Sequence, residues 1–214
     1  MGTFEKGYLG GFSGKVGTAV GSSWKGLSVL RSRPPRKRRG QPSDLQLEQQ
    51  AKFALMSNFL QPLTDLLNQT YSKSAGAEMS GFNKAFSVNS EAIAGVYPAF
   101  AVDYPKVLLS KGSLPNVTAP TAASTVAGKL AFSWIDNSGS DNKALISDLA
   151  FVAAYNEELK HWVFVQKAAT RNTGTYTLDL TAFSGKPVHS YIGFMSADRK
   201  KVASSLYTGQ VNIL

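Results

Sequence analysis

Apolar and polar residues follow three different rhythms along the chain. Through residues 1–40 there is no period. Short apolar pieces, Val16 to Val20 and Gly26 to Leu30, lie between nine glycines. Each glycine costs a helix about 1 kcal/mol relative to alanine, so the stretch predicts extended chain. The expectation is two short strands with Gly21-Ser22-Ser23 turning between them. Two strands alone are marginal in water and need another surface to pair with. Phe12, Val16, Val20, Trp24, Leu27 and Leu30 are the apolar side chains such an assembly arm would offer. Pro34-Pro35 stiffens the exit.

From Ser43 the spacing becomes helical. Ser43 with Gln46 reads as a capping box, and Leu47, Ala51, Ala54, Leu55 and Phe59 recur on one face. Gln61-Pro62 ends or kinks that helix, a second short one follows to Thr70, and Ser80-Gly81 opens a third through about Asn89. From Tyr97 onward the period is two. Strands are predicted at Val107 to Leu109, Leu130 to Trp134, Leu149 to Tyr155, Trp162 to Val165, Thr175 to Leu180, Val188 to Met195 and Leu206 to Ile213, with Leu114 to Thr125 as a linker. About seven short strands separated by turn signals predict an antiparallel β-sandwich of immunoglobulin or fibronectin type. The fold class is therefore mainly β, in three parts: a glycine-rich basic arm over 1–40, a helical segment over 41–95 and the sandwich over 96–214.

Charge sharpens the first part. The 214 residues carry a net +9, and residues 1–40 hold nine Lys/Arg against the single acid Glu5. Any role that needs positive charge is thus expected in the arm, where Arg31, Arg33, Arg36, Lys37, Arg38 and Arg39 cluster. Guanidinium groups suit phosphate oxygens, so the cluster can hold nucleic acid, dock on an acidic protein or simply be solvated. Zero cysteines exclude a disulfide framework and a thiolate metal site. The start lacks the apolar core of a secretory signal, so synthesis in the cytoplasm is expected, and no apolar run approaches the ~18 residues of a membrane span.

Catalytic patterns fail on inspection. Gly14-Lys15 is not a phosphate loop, because Leu9 stands where the first glycine belongs and Val16 where a hydroxyl must meet magnesium. No two arm glycines have dinucleotide-site spacing, and Gly11-Phe12-Ser13-Gly14-Lys15 lacks the last glycine of a nucleophile elbow. His161 and His189 have no partners at ligand spacing. Asp136 to Asp141 is rich in oxygen but lacks the bidentate glutamate of a calcium loop. No enzyme, metal or cofactor is expected. A surface- or carbohydrate-binding sandwich remains an alternative, with Trp134 and Trp162 as its first candidates.

Several stretches together carry a resemblance: GGFSGKVGTAVGSSWKGLSVLRSRP, QQAKFALMSNFLQPL, MSGFNKAFSVN, YPAFAVDYPKVLLSKGSLP, FSWIDNSG and YIGFMSAD. They resemble, in order and over nearly the whole chain, an uncharacterised family of Bacteroidota. That resemblance implies a bacterial or bacteriophage origin and no known activity. The glycine-rich basic arm also looks like that of phage-associated structural proteins. Gln50-Ala51-Lys52-Phe53 lacks the arginine that relatives often carry there, and Pro34 to Arg39 is unusually basic. The expectation is a non-enzymatic structural or assembly protein, a virion or other particle component, whose arm contacts neighbouring subunits. The alternative is a nucleic-acid-binding module using residues 31–39.

Overall fold

The structure is a computed structural model, and it describes residues 2–4, 13–24, 26–33, 41–76, 79–139 and 143–214. Two compact units are present, Met1–Ser43 and Asp44–Leu214.

The first unit holds four short strands among its described residues, not two. They are β1 (Gly2–Phe4), β2 (Gly14–Val16), β3 (Ala19–Trp24) and β4 (Leu27–Ser32), in the antiparallel order β1-β4-β3-β2. The turns fall at Gly17-Thr18, where Gly17 takes φ +57°, and just before Leu27. Gly21-Ser22-Ser23 is the middle of β3, paired with Leu30, Val29 and Ser28, and does not turn. Small residues there mark a strand with little to pack, not a reversal.

In the second unit, helix α1 (Asp44–Leu60) runs into a tight turn at Gln61–Leu63 and then α2 (Thr64–Thr70). Helix α3 (Gly81–Asn89) is capped by Ser80, whose hydroxyl accepts from the Asn83 N–H at 3.1 Å. A hairpin follows, β5 (Ile93–Val96) with β6 (Ala99–Val102). Seven strands complete the chain: β7 (Thr118–Ala123), β8 (Lys129–Ile135), β9 (Leu149–Asn156), β10 (His161–Thr170), β11 (Thr175–Asp179), β12 (Pro187–Met195) and β13 (Leu206–Asn212).

These seven form two antiparallel sheets, β11-β8-β7 and β10-β9-β12-β13, which is the three-plus-four sandwich of fibronectin type. Leu130, Phe132, Trp134 and Leu178 of the smaller sheet meet Ala150, Val152, Ala154, Val188, Ile192 and Phe194 of the larger. The larger sheet has a second buried face. Phe151, Ala153, Tyr155, Trp162, Tyr191 and Met195 alternate with those residues and pack against Met56, Phe59, Leu60, Leu63, Leu66 and Leu67 of the helices. Burial on both sides explains why β9 and β12 read as near-continuous apolar runs. The Trp162 indole N–H donates to the Phe59 carbonyl at 2.8 Å, joining the two layers by a polar contact inside an apolar one.

Two expectations are corrected. Leu114 to Thr125 is not all linker, because β7 runs through it as the outer strand of its sheet. Its small residues and Pro120 suit an edge position and hide the period-two signal. Val107 to Leu109 is not a strand. Val107 and Leu109 are buried, and the backbone around them is served by side chains. Asn89 accepts from the Leu108 N–H at 2.7 Å and donates to the Leu108 carbonyl at 2.9 Å, Thr70 donates to the Leu109 carbonyl, and Ser205 accepts from the Leu109 N–H. An apolar run buries equally well when amides and hydroxyls replace a ladder partner.

Candidate assembly interface

Alternation and register decide what the arm sheet displays. Residues directly opposite on antiparallel strands share a face. Lys15, Val20 and Arg31 therefore form a row across β2, β3 and β4, and beside it on the same face lie the pairs Ser22 with Val29 and Trp24 with Leu27. The opposite face carries Val16 with Ala19 and Gly21 with Leu30. Val16 is 64% exposed, Trp24 52%, Leu27 38% and Leu30 37%, Val20 is half-buried, and Gly21 is the one fully buried residue among those described in residues 13–33. Among the described residues this sheet carries exposed apolar side chains on both faces and buries no large one.

Two of the cluster's basic residues, Arg31 and Arg33, lie among the described residues. Arg31 lies inside β4, and the Arg33 N–H donates to the Thr18 carbonyl at 2.7 Å, closing the ladder. Both are exposed. Lys15, on the same face as Arg31, was not among the sequence candidates, since only strand register reveals that neighbour. Phe12, Arg36, Lys37, Arg38 and Arg39 lie outside the described residues.

The other sequence candidates take structural places in the body. Trp134 and Trp162 are 5% and 4% exposed, so neither offers a ring face to a sugar. The Trp134 indole donates to the Arg171 carbonyl at 2.8 Å. Arg171 is itself fully buried: its guanidinium pairs with Asp148 at 3.2 Å, donates to the Asn137 side chain at 2.8 Å and the Pro115 carbonyl at 2.9 Å, and lies 4.8 Å from the centre of the Phe194 ring. Asp136 accepts from the Ser138 N–H and hydroxyl, a local turn, while Asp141 lies outside the described residues. Among the described residues no group of three or more His, Asp or Glu is placed to hold a metal ion.

His161 is exposed, and its ring meets Phe183 edge-on. His189 joins an aromatic cluster on the helix-covered face. Its ring stacks on Tyr104 at 3.7 Å between centroids, and its Nδ1 lies 2.9 Å from the Tyr207 hydroxyl. Burial holds the imidazole below its ordinary range, partly opposed by the charge of Glu157. The Tyr104 and Tyr191 hydroxyls are pushed well above the usual phenol range, first by burial; Glu157 adds to the effect at Tyr104 and Tyr207 at Tyr191. The Tyr191 hydroxyl donates to the Tyr104 carbonyl at 2.9 Å. The cluster fastens β12 and β13 to the segment at 104–106.

A model for a family of unknown function, DUF6266, matches residues 11–209. The chain belongs to that family. The DUF6266 match takes in the arm from residue 11 as well as the body, so the two units travel together in one family pattern. No curated protein matches the chain. Among solved structures, the FN1–FN3 domains of chicken CNTN1 are similar at 15% identity over 48% of this chain and 35% of that one, with TM-score 0.36. Titin kinase with its flanking domains is similar at 11% identity over 48% and 17%, TM-score 0.32, and the fn3 domain of human collagen alpha-1(XX) at 15% over 48% and 92%, TM-score 0.31. The sandwich is defined by its own strand order.

Proposed function

We propose that this DUF6266 protein is a non-enzymatic assembly subunit that associates with further copies of itself through its N-terminal sheet. The observation that carries this reading is the arm: four strands with Val16, Trp24, Leu27 and Leu30 exposed and, among the described residues, no large apolar side chain buried. Among the described residues β1 and β2 are the outer strands and offer unpaired backbone groups to a neighbouring chain. The outward face of the three-stranded sandwich sheet is mostly polar, with Ser133, Thr175, Thr177 and Asp179 exposed beside Ile135. A virion or similar particle is the setting in which a subunit of this design fits.

Light scattering on the size-exclusion eluate tests the reading. The full chain runs as a multimer at micromolar concentration, and Trp24→Ser with Leu27→Ser shifts it to monomer. A strictly monomeric full chain, with the arm resisting protease through contact with its own body, overturns the proposal.

Exposed Arg31 and Arg33 support a second reading, nucleic-acid binding by residues 31–39. It predicts affinity that falls steeply with salt and is lost when Arg36, Lys37, Arg38 and Arg39 are replaced by serine.

A further inference from the structure

Beyond residue 40 the sequence holds fourteen Lys/Arg against thirteen acids, close to neutral. Folding undoes that balance locally. Lys73, Lys84, Lys111, Lys200 and Lys201 line one cleft of about 790 Å³ in the body, and no acid lines it among the described residues. The five come from four places in the chain: the turn after α2, the middle of α3, the connection leading to β7 and the β12–β13 loop.

The walls of the cleft are fixed by backbone and hydroxyl bonds. The Leu114 N–H donates to the Val202 carbonyl at 3.1 Å, the Ser205 N–H to the Ser110 carbonyl at 3.1 Å, and the Ser110 hydroxyl to the Ala203 carbonyl at 2.7 Å. Gly112 lies so close to this second segment that a Cβ would stand 2.0 Å from the Val202 carbonyl oxygen. The loop bearing Lys200 and Lys201 is folded on Ser196, whose hydroxyl donates to Asp198 and accepts from the Lys201 N–H. Asp198, outside the lining, is the nearby counter-charge: it lies 3.8 Å from Lys200, and the charges of Lys200 and Lys73 join its hydrogen bonds in holding its carboxyl below the usual range. Among the described residues Lys73, Lys84, Lys111 and Lys201 have no ion-pair partner.

A concave site lined by one sign of charge focuses field and concentrates anions. The rest of the lining selects the kind of anion. Thr70, Ser74, Ser113 and Ser204 add hydroxyls, Val88 and Val202 are the apolar members, and among the described residues no aromatic ring lines it to stack on a base. Ammonium groups are compact point charges with rotatable donors, suited to several phosphate groups in more than one arrangement. We propose that this cleft is a binding site for a compact anion bearing two or more phosphate groups, distinct from the basic arm and independent of arm-mediated assembly.

The test is calorimetric titration of the full chain with Arg36, Lys37, Arg38 and Arg39 changed to serine, which removes the arm cluster as a competing site. Inorganic tripolyphosphate is the probe, and orthophosphate and an oligothymidylate are titrated in parallel. Tripolyphosphate binds saturably at one site per chain at low salt, and more tightly than either comparator. Lys84→Gln with Lys111→Gln weakens it at least about tenfold, in line with loss of charge-assisted hydrogen bonds. Lys129→Gln with Lys160→Gln, outside the lining, leaves it within about twofold, the size of a screened long-range charge effect. Far-UV circular dichroism confirms that the lysine variants remain folded. Absence of saturable binding, equal weakening by both pairs, or equal affinity for oligothymidylate per phosphate overturns the assignment.

Discussion

Arg171 offers the sharpest test of how the sandwich is held. Its guanidinium is fully buried and serves Asp148, Asn137 and Pro115 at once, while the Phe194 ring covers it. Arg171→Met keeps much of the side-chain bulk and removes every donor. The partners then remain in place with a buried carboxylate among them. Removing one member of a buried pair costs about 3–5 kcal/mol. The bonds to Asn137 and Pro115 are only part-buried, so water can replace them and they add little to that figure. With a urea slope of about 2 kcal/mol per molar, the midpoint falls by about 1.5–2.5 M. Asp148→Asn leaves the guanidinium without its counter-charge and should cost about 2–4 kcal/mol. Arg171→Met with Asp148→Asn removes both charges together, so its cost falls short of the sum of the singles by at least about 2 kcal/mol. The assay is equilibrium urea unfolding followed by fluorescence, to which Trp134 contributes beside Arg171, and by circular dichroism. Because Arg171 and Asp148 are both fully buried, 1 M salt should leave the difference unchanged. A cost below about 1 kcal/mol for Arg171→Met, or additive single changes, would refute the reasoning.

Three further outcomes are expected from the body. Asn89→Ala removes both part-buried bonds to Leu108, so chemical unfolding should show a loss of about 1–3 kcal/mol. Gly81→Ala places a Cβ 2.7 Å from the Leu67 carbonyl oxygen and the Asn68 Cα, forcing α3 off α2; a loss of about 1–3 kcal/mol is expected, with a lower melting temperature. His189 has a folded pKa below its unfolded value, so the unfolded chain takes up the proton first as pH falls. Its contribution is therefore fully present above about pH 6.5 and is lost as pH drops through that value toward the folded one. Urea midpoints measured from pH 8 to 5 should fall more steeply for the native chain than for His189→Gln, and parallel curves would count against the assignment.

Legibility in the sequence followed the physics of each segment. Strands β9 and β12 stood out because burial on two faces fills them with apolar residues, and β8 because one face is core and the other solvent. The α1 spacing was visible, yet Leu45 and Phe53 are 74% and 61% exposed, and full burial is confined to Met56, Phe59 and Leu60. Periodicity marks a helix without saying how much of it finds a neighbour. Val16, Trp24, Leu27 and Leu30 of the arm are exposed, but the expected turn was misplaced, since Gly21 lies within β3 while Gly17 turns. The basic cleft left no local trace. Lys73 and Lys201 are far apart in sequence, and only the meeting of the helical layer with the β12–β13 loop makes them neighbours. Arg171 was equally silent, since an isolated arginine between strands reads as solvated until its partners from three other loops are seen together.

The two-sided burial of the β10-β9-β12-β13 sheet bears on how this module can be cut, moved or reused. Fibronectin-type units are commonly handled as beads that can be excised at their first strand. Here an excision at residue 96 would strip away Met56, Phe59, Leu60, Leu63, Leu66 and Leu67 and present Phe151, Tyr155, Trp162 and Tyr191 to water on one continuous face. The fragment 96–214 should aggregate or bind a hydrophobic dye when expressed alone, whereas 41–214 should remain monodisperse. The smallest transplantable piece of this protein is thus the sandwich together with its helical cover.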